Sequence, residues 1–208
     1  MIHTRCIPAD ATGLACAAEV LRAGGIVAFP TDTVYGVGAH AFLPHAVQRL
    51  YTAKVRPPDK AIPLLIADAS LLPYVAQEIP PIACELAARF WPGALTLVMR
   101  RTAMVSDEIT AGGDTVGVRA PDHPVAQALL RLLNVPLATT SANLSGQPPA
   151  ITAQEVLAQL DGQIDLLLDG GPCPGGVAST VLDVTTSPPR VLRAGPLLPQ
   201  LAQMNVQL

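Results

Sequence analysis

The sequence is short of the side chains on which several function classes depend. Aromatic residues make up 3% of its 208 positions, too few for the stacking platforms that bind single-stranded nucleic acids. Charged residues are 14%, with a formal net charge of −3, so the surface as a whole is no basic nucleic-acid sponge and at most one cleft carries positive potential. Cys6, Cys16, Cys84 and Cys173 form neither a CxxC pair nor a compact framework, which argues against a zinc knuckle and for a reducing, cytoplasmic setting. The opening MIHTRCIPAD lacks the basic stretch and long apolar segment of a secretory signal. Half the residues are hydrophobic, yet no run approaches the roughly 18 apolar residues that span a bilayer. The apolar mass is therefore core. No GxSxG, HExxH, GxxxxGK[ST] or GxGxxG string occurs, and carboxylates show no metal-ligand spacing. His3, His40, His45 and His123 are isolated, near turns or helix starts, where a plain surface or capping role is the ordinary one.

What is present alternates. Apolar stretches of strand length, rich in Val, Ile, Leu and Thr, occupy 26–29, 62–67, 94–100, 115–119, 135–140, 166–168, 179–184 and 190–193. Helical periodicity lies between them at 14–22, 46–53, 82–90, 125–133 and 153–160. Thr152 with Glu155 three residues on is a capping box, and Pro44 and Pro124 mark two further helix starts. The 21 prolines and 16 glycines gather in joints such as Pro57-Pro58 and Gly170-Gly171-Pro172. This predicts a single α/β domain over residues 1–208. The last strands follow one another without a full helix between them, so the sheet should be mixed and twisted.

Chemistry is left to basic and hydroxylated residues. Eleven arginines stand against two lysines, and both lysines fall in Lys54-Val55-Arg56-Pro57-Pro58-Asp59-Lys60. Such a segment is either a solvated turn or a stiffened loop displaying three cations to an anion. Three apolar strands run straight into small hydroxyl residues: Phe29 to Gly36, Leu137 to Gly146 and Gly176 to Val181. One such segment would be a turn or a cap, but strand ends in open α/β sheets are also where ligands bind. Arg119 and Arg193 each end an apolar strand, as rim charges or as forks aimed at a carboxylate or phosphate.

PTDTVYGVG, the K-x-R of Lys54 and Arg56, GVRAP around Arg119, the S-x-N of Ser141 and Asn143 within TTSANLSG, and the AST and VLRAG segments near the end together resemble the YrdC-like family of threonylcarbamoyl-AMP synthases, in the family's order over about residues 10–196. The resemblance implies a YrdC-like twisted open mixed sheet with flanking helices and a large concave cleft. It implies a nucleotidyltransferase that joins L-threonine, bicarbonate or CO2, and ATP into threonylcarbamoyl-adenylate and pyrophosphate, for N6-threonylcarbamoylation of a tRNA adenosine. Position by position, it implies catalytic roles for Lys54, Arg56, Ser141 and Asn143. ATP contacts would come from Lys54, Arg56, Lys60, Thr115, Asn143 and Arg193, and threonine contacts from Thr33, Arg119, Ser141 and Ser179. Mg2+ would arrive on the triphosphate rather than at a dedicated protein site. The implied partners are a tRNA threonylcarbamoyl transferase complex and, weakly, tRNA or double-stranded RNA in the cleft. The chain is similar to the short form of the family, without the extra C-terminal domain of longer relatives.

The implied chemistry suits this inventory. A carbamate is already an anion, so attack on the α-phosphorus needs no side-chain base. The difficulty is crowded negative charge, which Lys54, Arg56, Lys60, Arg119 and Arg193 would offset. If Lys54 and Arg56 are exposed cleft cations, truncating either should spare the fold. Two alternatives stay open. One is a carbamoyl-adenylate-forming carbamoyltransferase, like the hydrogenase maturation proteins, whose zinc-binding and acylphosphatase-like modules have no counterpart in this sequence. The other is a non-catalytic double-stranded RNA-binding module.

Overall fold

The computed structural model describes residues 3–204 and Gln207. In chain order its strands are β1 (Arg5–Pro8), β2 (Val27–Phe29), β3 (Gly36–His40), β4 (Leu64–Leu65), β5 (Ala76–Gln77), β6 (Leu95–Arg101), β7 (Thr115–Arg119), β8 (Leu137–Ser141), β9 (Leu166–Asp169), β10 (Thr180–Asp183) and β11 (Arg190–Arg193). The helices are α1 (Ala11–Arg22), α2 (Pro44–Ala53), α3 (Leu72–Val75), α4 (Pro81–Phe90), α5 (Asp107–Thr110), α6 (Pro124–Leu133), α7 (Ala153–Leu160) and α8 (Leu198–Leu201). Their starts follow from capping chemistry. The Asp10 carboxylate accepts from Gly13 N at 2.8 Å ahead of α1, and Thr152 with Glu155 closes both halves of a capping box on α7.

All the strands join one sheet, in the order β1-β9-β2-β3-β8-β4-β7-β6-β10-β11, with β5 beside β6. Pairing is mixed: β9 runs parallel to β1 and β2, whereas β3 is antiparallel to β2 and β8. Alternation along each strand sends successive side chains to opposite faces. Val27, Phe29, Leu65, Leu137, Leu166 and Leu168 therefore meet α1 and α6 on one face. Ala28, Leu64, Leu97, Ala138, Leu167 and Leu182 meet α2, α4 and α7 on the other. Helices flank a twisted mixed sheet, as the sequence pattern requires. No helix among the described residues is long and apolar enough to cross a membrane.

Sequence patterning misses the edge strand β1, which is largely exposed, and the two-residue β5. It also places Gly36 to His40 in a loop, because GVGAH lacks a β-branched run; β3 forms since its glycines let Thr139 of β8 approach closely.

Candidate active site

The first face is covered by α1 and α6 only over the β9, β2 and β8 end. Beyond them, side chains of β6, β7, β8 and β10 floor a cavity of about 370 Å³. Thr96, Val98, Gly117, Thr139 and Val181 lie on it, interleaved with Leu97 and Leu182, which point into the opposite core. Its rim is made by the chain just after β2 (Thr31 and Thr33 to Gly36), by the end of β8 (Thr140, Ser141), by Arg56 and residues 61–63, and by Ala178, Ser179 and Arg193. Strands far apart in sequence thus end around one space, as expected at the strand ends of an open sheet.

Arg119, at the end of β7, is 6% exposed. Its Nε donates to the Gly93 carbonyl at 2.9 Å, Nη1 to Thr33 Oγ1 at 3.0 Å, and Nη2 to Asp32 Oδ1 at 2.5 Å. Burial lowers its pKa and Asp32 opposes that shift. The same Asp32 oxygen accepts from Asp122 N at 3.1 Å. Arg193, ending β11, donates through Nε to the Ser179 carbonyl and through Nη2 to Ser179 Oγ, both at 3.0 Å. Arg56 donates to the carbonyls of Lys60 and Ala61 at 3.0 and 2.7 Å, which curls the loop around its own guanidinium.

Lys54 behaves differently from the expectation of three cations displayed on one loop. It terminates α2 and is 1% exposed. Its ammonium donates to the Ser141 carbonyl at 2.5 Å and to the Asn143 carbonyl, and its own carbonyl accepts from Ser145 N at 3.0 Å. The long apolar stem reaches past the end of the helix to carbonyls at and just after the end of β8, where the Ser141 carbonyl also accepts from Asn143 N at 3.0 Å, so the lysine is a strut beneath the site. Burial, and secondarily the Arg56 charge, push its pKa down from 10.5 to about 7. Truncation of Lys54 is therefore a structural change as well, contrary to the expectation for an exposed cation. Between Lys54 and Arg56 sits Val55, β-branched and 75% exposed at φ +51°. That left-handed turn sends the two neighbouring cations in different directions.

Hydroxyls complete the lining. Thr31 and Thr33 lie 3.0 Å apart through their Oγ1 atoms, as do Thr96 and Ser179 at 2.8 Å. All four are nearly inaccessible. The Gly175-Gly176 loop presses on this corner, with Gly176 N donating to the Thr33 carbonyl at 2.7 Å. Asn143 donates through Nδ2 to the Leu144 and Gln147 carbonyls at 2.7 and 2.8 Å, while its buried Oδ1 has no partner.

Thr33, Arg56, Arg119, Ser141, Ser179 and Arg193 thus converge on the cavity. Lys54 and Asn143 stand behind it, joined through the 141–143 backbone. Lys60 is exposed, offering its carbonyl to Arg56 and Tyr51. Thr115, half-buried, begins β7 opposite Arg100; neither it nor Lys60 is on the lining. Sequence reasoning gives no role to Thr31, Asp32 or Thr96. A lone hydroxyl within the apolar strand 94–100 was the available signal for Thr96. For Asp32 there was none, because its pairing with Arg119 exists only in the fold.

A family model described as Telomere recombination, that of the Sua5/YciO/YrdC proteins, matches residues 19–195. The chain belongs to this family. It is 47% identical over 181 residues to the "Threonylcarbamoyl-AMP synthase" of Pyrococcus abyssi, a match covering 87% of this chain and 53% of that one. The structure of P. abyssi Sua5 complexed with L-threonine superposes with a TM-score of 0.92 at 43% identity, covering 98% of this chain and 60% of that one. Escherichia coli YciO superposes with a TM-score of 0.83 at 29% identity, over 96% of this chain and 99% of that one. The chain spans about half the length of the first curated relatives it matches, 53% of each.

Proposed function

We propose that this chain carries out threonylcarbamoyl-AMP synthesis, making threonylcarbamoyl-adenylate and pyrophosphate from L-threonine, bicarbonate or CO2, and ATP. The observation that carries the reading is the convergence of three guanidiniums and two hydroxyl pairs on one cavity, in a chain closely similar to proteins named for that activity. In the first step the threonine amine attacks CO2, forming the N–C bond and releasing a proton to solvent. In the second, a carbamate oxygen attacks the α-phosphorus as the bond to the bridging oxygen breaks and pyrophosphate departs. Arg119, with N–H groups left over from Gly93, Thr33 and Asp32, would hold the amino-acid carboxylate. Arg56 and Arg193, with Lys60 at the loop, would take the phosphates, and Thr115 would lie toward the nucleotide. Lys54 would act by fixing the Ser141–Asn143 backbone, which presents Ser141 to the amino acid and Asn143 to the nucleotide.

The lining contains no carboxylate, and among the described residues no three His, Cys, Asp or Glu side chains cluster as metal ligands. The residues do not fit a resident metal, so Mg2+ belongs to this reading as part of the nucleotide substrate. A cytoplasmic setting and delivery of the adenylate to a tRNA threonylcarbamoyl transferase complex complete the proposal. The test is mass-spectrometric detection of the adenylate with MgATP, threonine and bicarbonate, omitting each in turn. Product that requires all of them supports the reading. Salt-sensitive RNA binding without product would favour the RNA-binding module instead, and an adenylate formed only when carbamoyl phosphate replaces threonine and bicarbonate would favour the carbamoyltransferase.

A further inference from the structure

The two hydroxyl pairs in the cavity differ in how many protons they have left, and this difference follows from their partners. Thr31 Oγ1 lies 2.7 Å from the Val34 carbonyl, which only accepts. The single Thr31 hydroxyl proton is thereby committed. The 3.0 Å contact between Thr31 and Thr33 must then be donated by Thr33. Thr31 also accepts from Thr33 N at 3.2 Å, so both its lone pairs are filled. Thr33 Oγ1 in turn accepts from Arg119 Nη1 at 3.0 Å. The chain Arg119 to Thr33 to Thr31 to Val34 runs in one direction. At its cavity end it leaves a single vacant lone pair, on Thr33, and no proton.

The Thr96–Ser179 pair is the reverse. Ser179 Oγ accepts from Arg193 Nη2 at 3.0 Å. One of the two hydroxyl protons lies between Ser179 and Thr96, 2.8 Å apart. Whichever residue donates there, the other keeps its proton. One side of the cavity can only accept a hydrogen bond, and the other retains one to give.

From this we infer that Thr31 is a positioning residue for specificity: by consuming the Thr33 proton it turns Thr33 into an obligate acceptor, so the cavity selects an amino acid whose own hydroxyl donates there. The inference rests on the amino-acid substrate proposed above. The carboxylate of that ligand is repelled from the Thr33 lone pair and goes to the remaining Arg119 N–H groups. The amine must keep its lone pair for carbon dioxide. The side-chain hydroxyl is the donor that meets Thr33 while the amine stays turned toward carbon dioxide. An analogue whose side-chain oxygen carries no proton would set one lone pair against another, at a cost of roughly tenfold or more in affinity.

The test is calorimetric binding of L-threonine and O-methyl-L-threonine, whose side-chain oxygen accepts but cannot donate, to the whole protein, without turnover. The unsubstituted protein should prefer threonine by roughly tenfold or more. Thr31→Val returns the Thr33 proton to the cavity, so O-methyl-L-threonine affinity should rise about tenfold with threonine affinity nearly unchanged, because a hydroxyl can donate or accept, drawing the ratio toward one. Thr31→Ser keeps the hydroxyl and should restore the preference. If Thr31→Val does not fold, as judged by near-UV circular dichroism, Thr31→Ala makes the same change in proton count and should give the same compression. A preference that persists unchanged in the folded Val or Ala variant overturns the positioning role while leaving the amino-acid reading intact. Failure of the unsubstituted protein to bind either amino acid overturns the substrate reading, and this inference with it.

Discussion

Replacing Lys54 by Met tests whether a cation is buried beneath the site. The unfolded chain holds the Lys54 proton up to about 10.5, whereas burial in the fold pushes its pKa down to about 7. Between these values the unfolded state binds more protons than the folded one, so stability should rise with pH. Integrated from about pH 7 to about pH 8.5, the rise is on the order of 1.5 kcal/mol. The two carbonyls that receive the ammonium favour its charged form and trim the rise, making that figure an upper bound. The pH window is chosen by the other shifted groups. His40 and His123 are lowered from 6.5, so their contribution is complete below the window. Cys173 is raised from 9.0 to about 11, so stability declines only as unfolded thiols ionise above it. Urea denaturation across the window should show stability climbing in the unsubstituted protein and flat in Lys54→Met. The absolute difference between the two is less telling, because Met also strands the Asn143 carbonyl at about 1–3 kcal/mol, whereas the Ser141 carbonyl keeps Asn143 N at 3.0 Å. A stability difference that stays constant to within about 0.3 kcal/mol across the window would refute a depressed Lys54.

Val55→Gly should raise unfolding stability by about 1 kcal/mol, checked by thermal melts, since glycine adopts the positive φ of this exposed site without the penalty a β-branched residue carries. Asp32→Asn should cost about 2 kcal/mol in urea denaturation, because Arg119 and Asp32 side chains are 8% and 14% exposed and the guanidinium loses its counterion. The same variant should bind pyrophosphate several-fold more tightly by calorimetry. Gly175→Ala would set a methyl 2.5 Å from the Asp32 carbonyl oxygen and 3.0 Å from Thr33 Cα. Threonine affinity measured by calorimetry should fall while the melting temperature barely moves, as the loop is exposed.

The fold was legible wherever a segment carried its own period. The strand at 115–119 and the helix at 153–160 were readable because alternation and the Thr152–Glu155 box are local signals. β3 was not, because what makes GVGAH a strand is the neighbour its glycines admit. The site divides in the same way. Arg119 and Arg193 announce themselves as charges ending apolar strands, and both reach the cavity. Lys54 misleads, since an N–H cation beside two prolines looks solvent-facing until the fold brings carbonyls from residues 141 and 143 to it. Asp32 and Thr31 were silent because hydrogen-bond direction depends on which acceptors the fold places next to them.

How the cations are held bears on how a chain with a net charge of −3 would serve the polyanions proposed for its cavity. Lys54, Arg56 and Arg193 are anchored by backbone carbonyls and a hydroxyl, which orient a cation without cancelling its charge. Only Arg119 among these four is paired with a carboxylate. Had salt bridges fixed all of them, the geometry would survive and the field would not, because each counterion would repel the incoming phosphate or carboxylate. Carbonyl anchoring leaves the charges of Arg56 and Arg193 for the ligand, at a desolvation cost borne by the fold and visible in the lowered pKa of both. The exception fits the same logic. Arg119 is the most deeply buried of the three arginines, where an unpaired guanidinium is most expensive, and the group proposed for it carries a single carboxylate rather than a triphosphate.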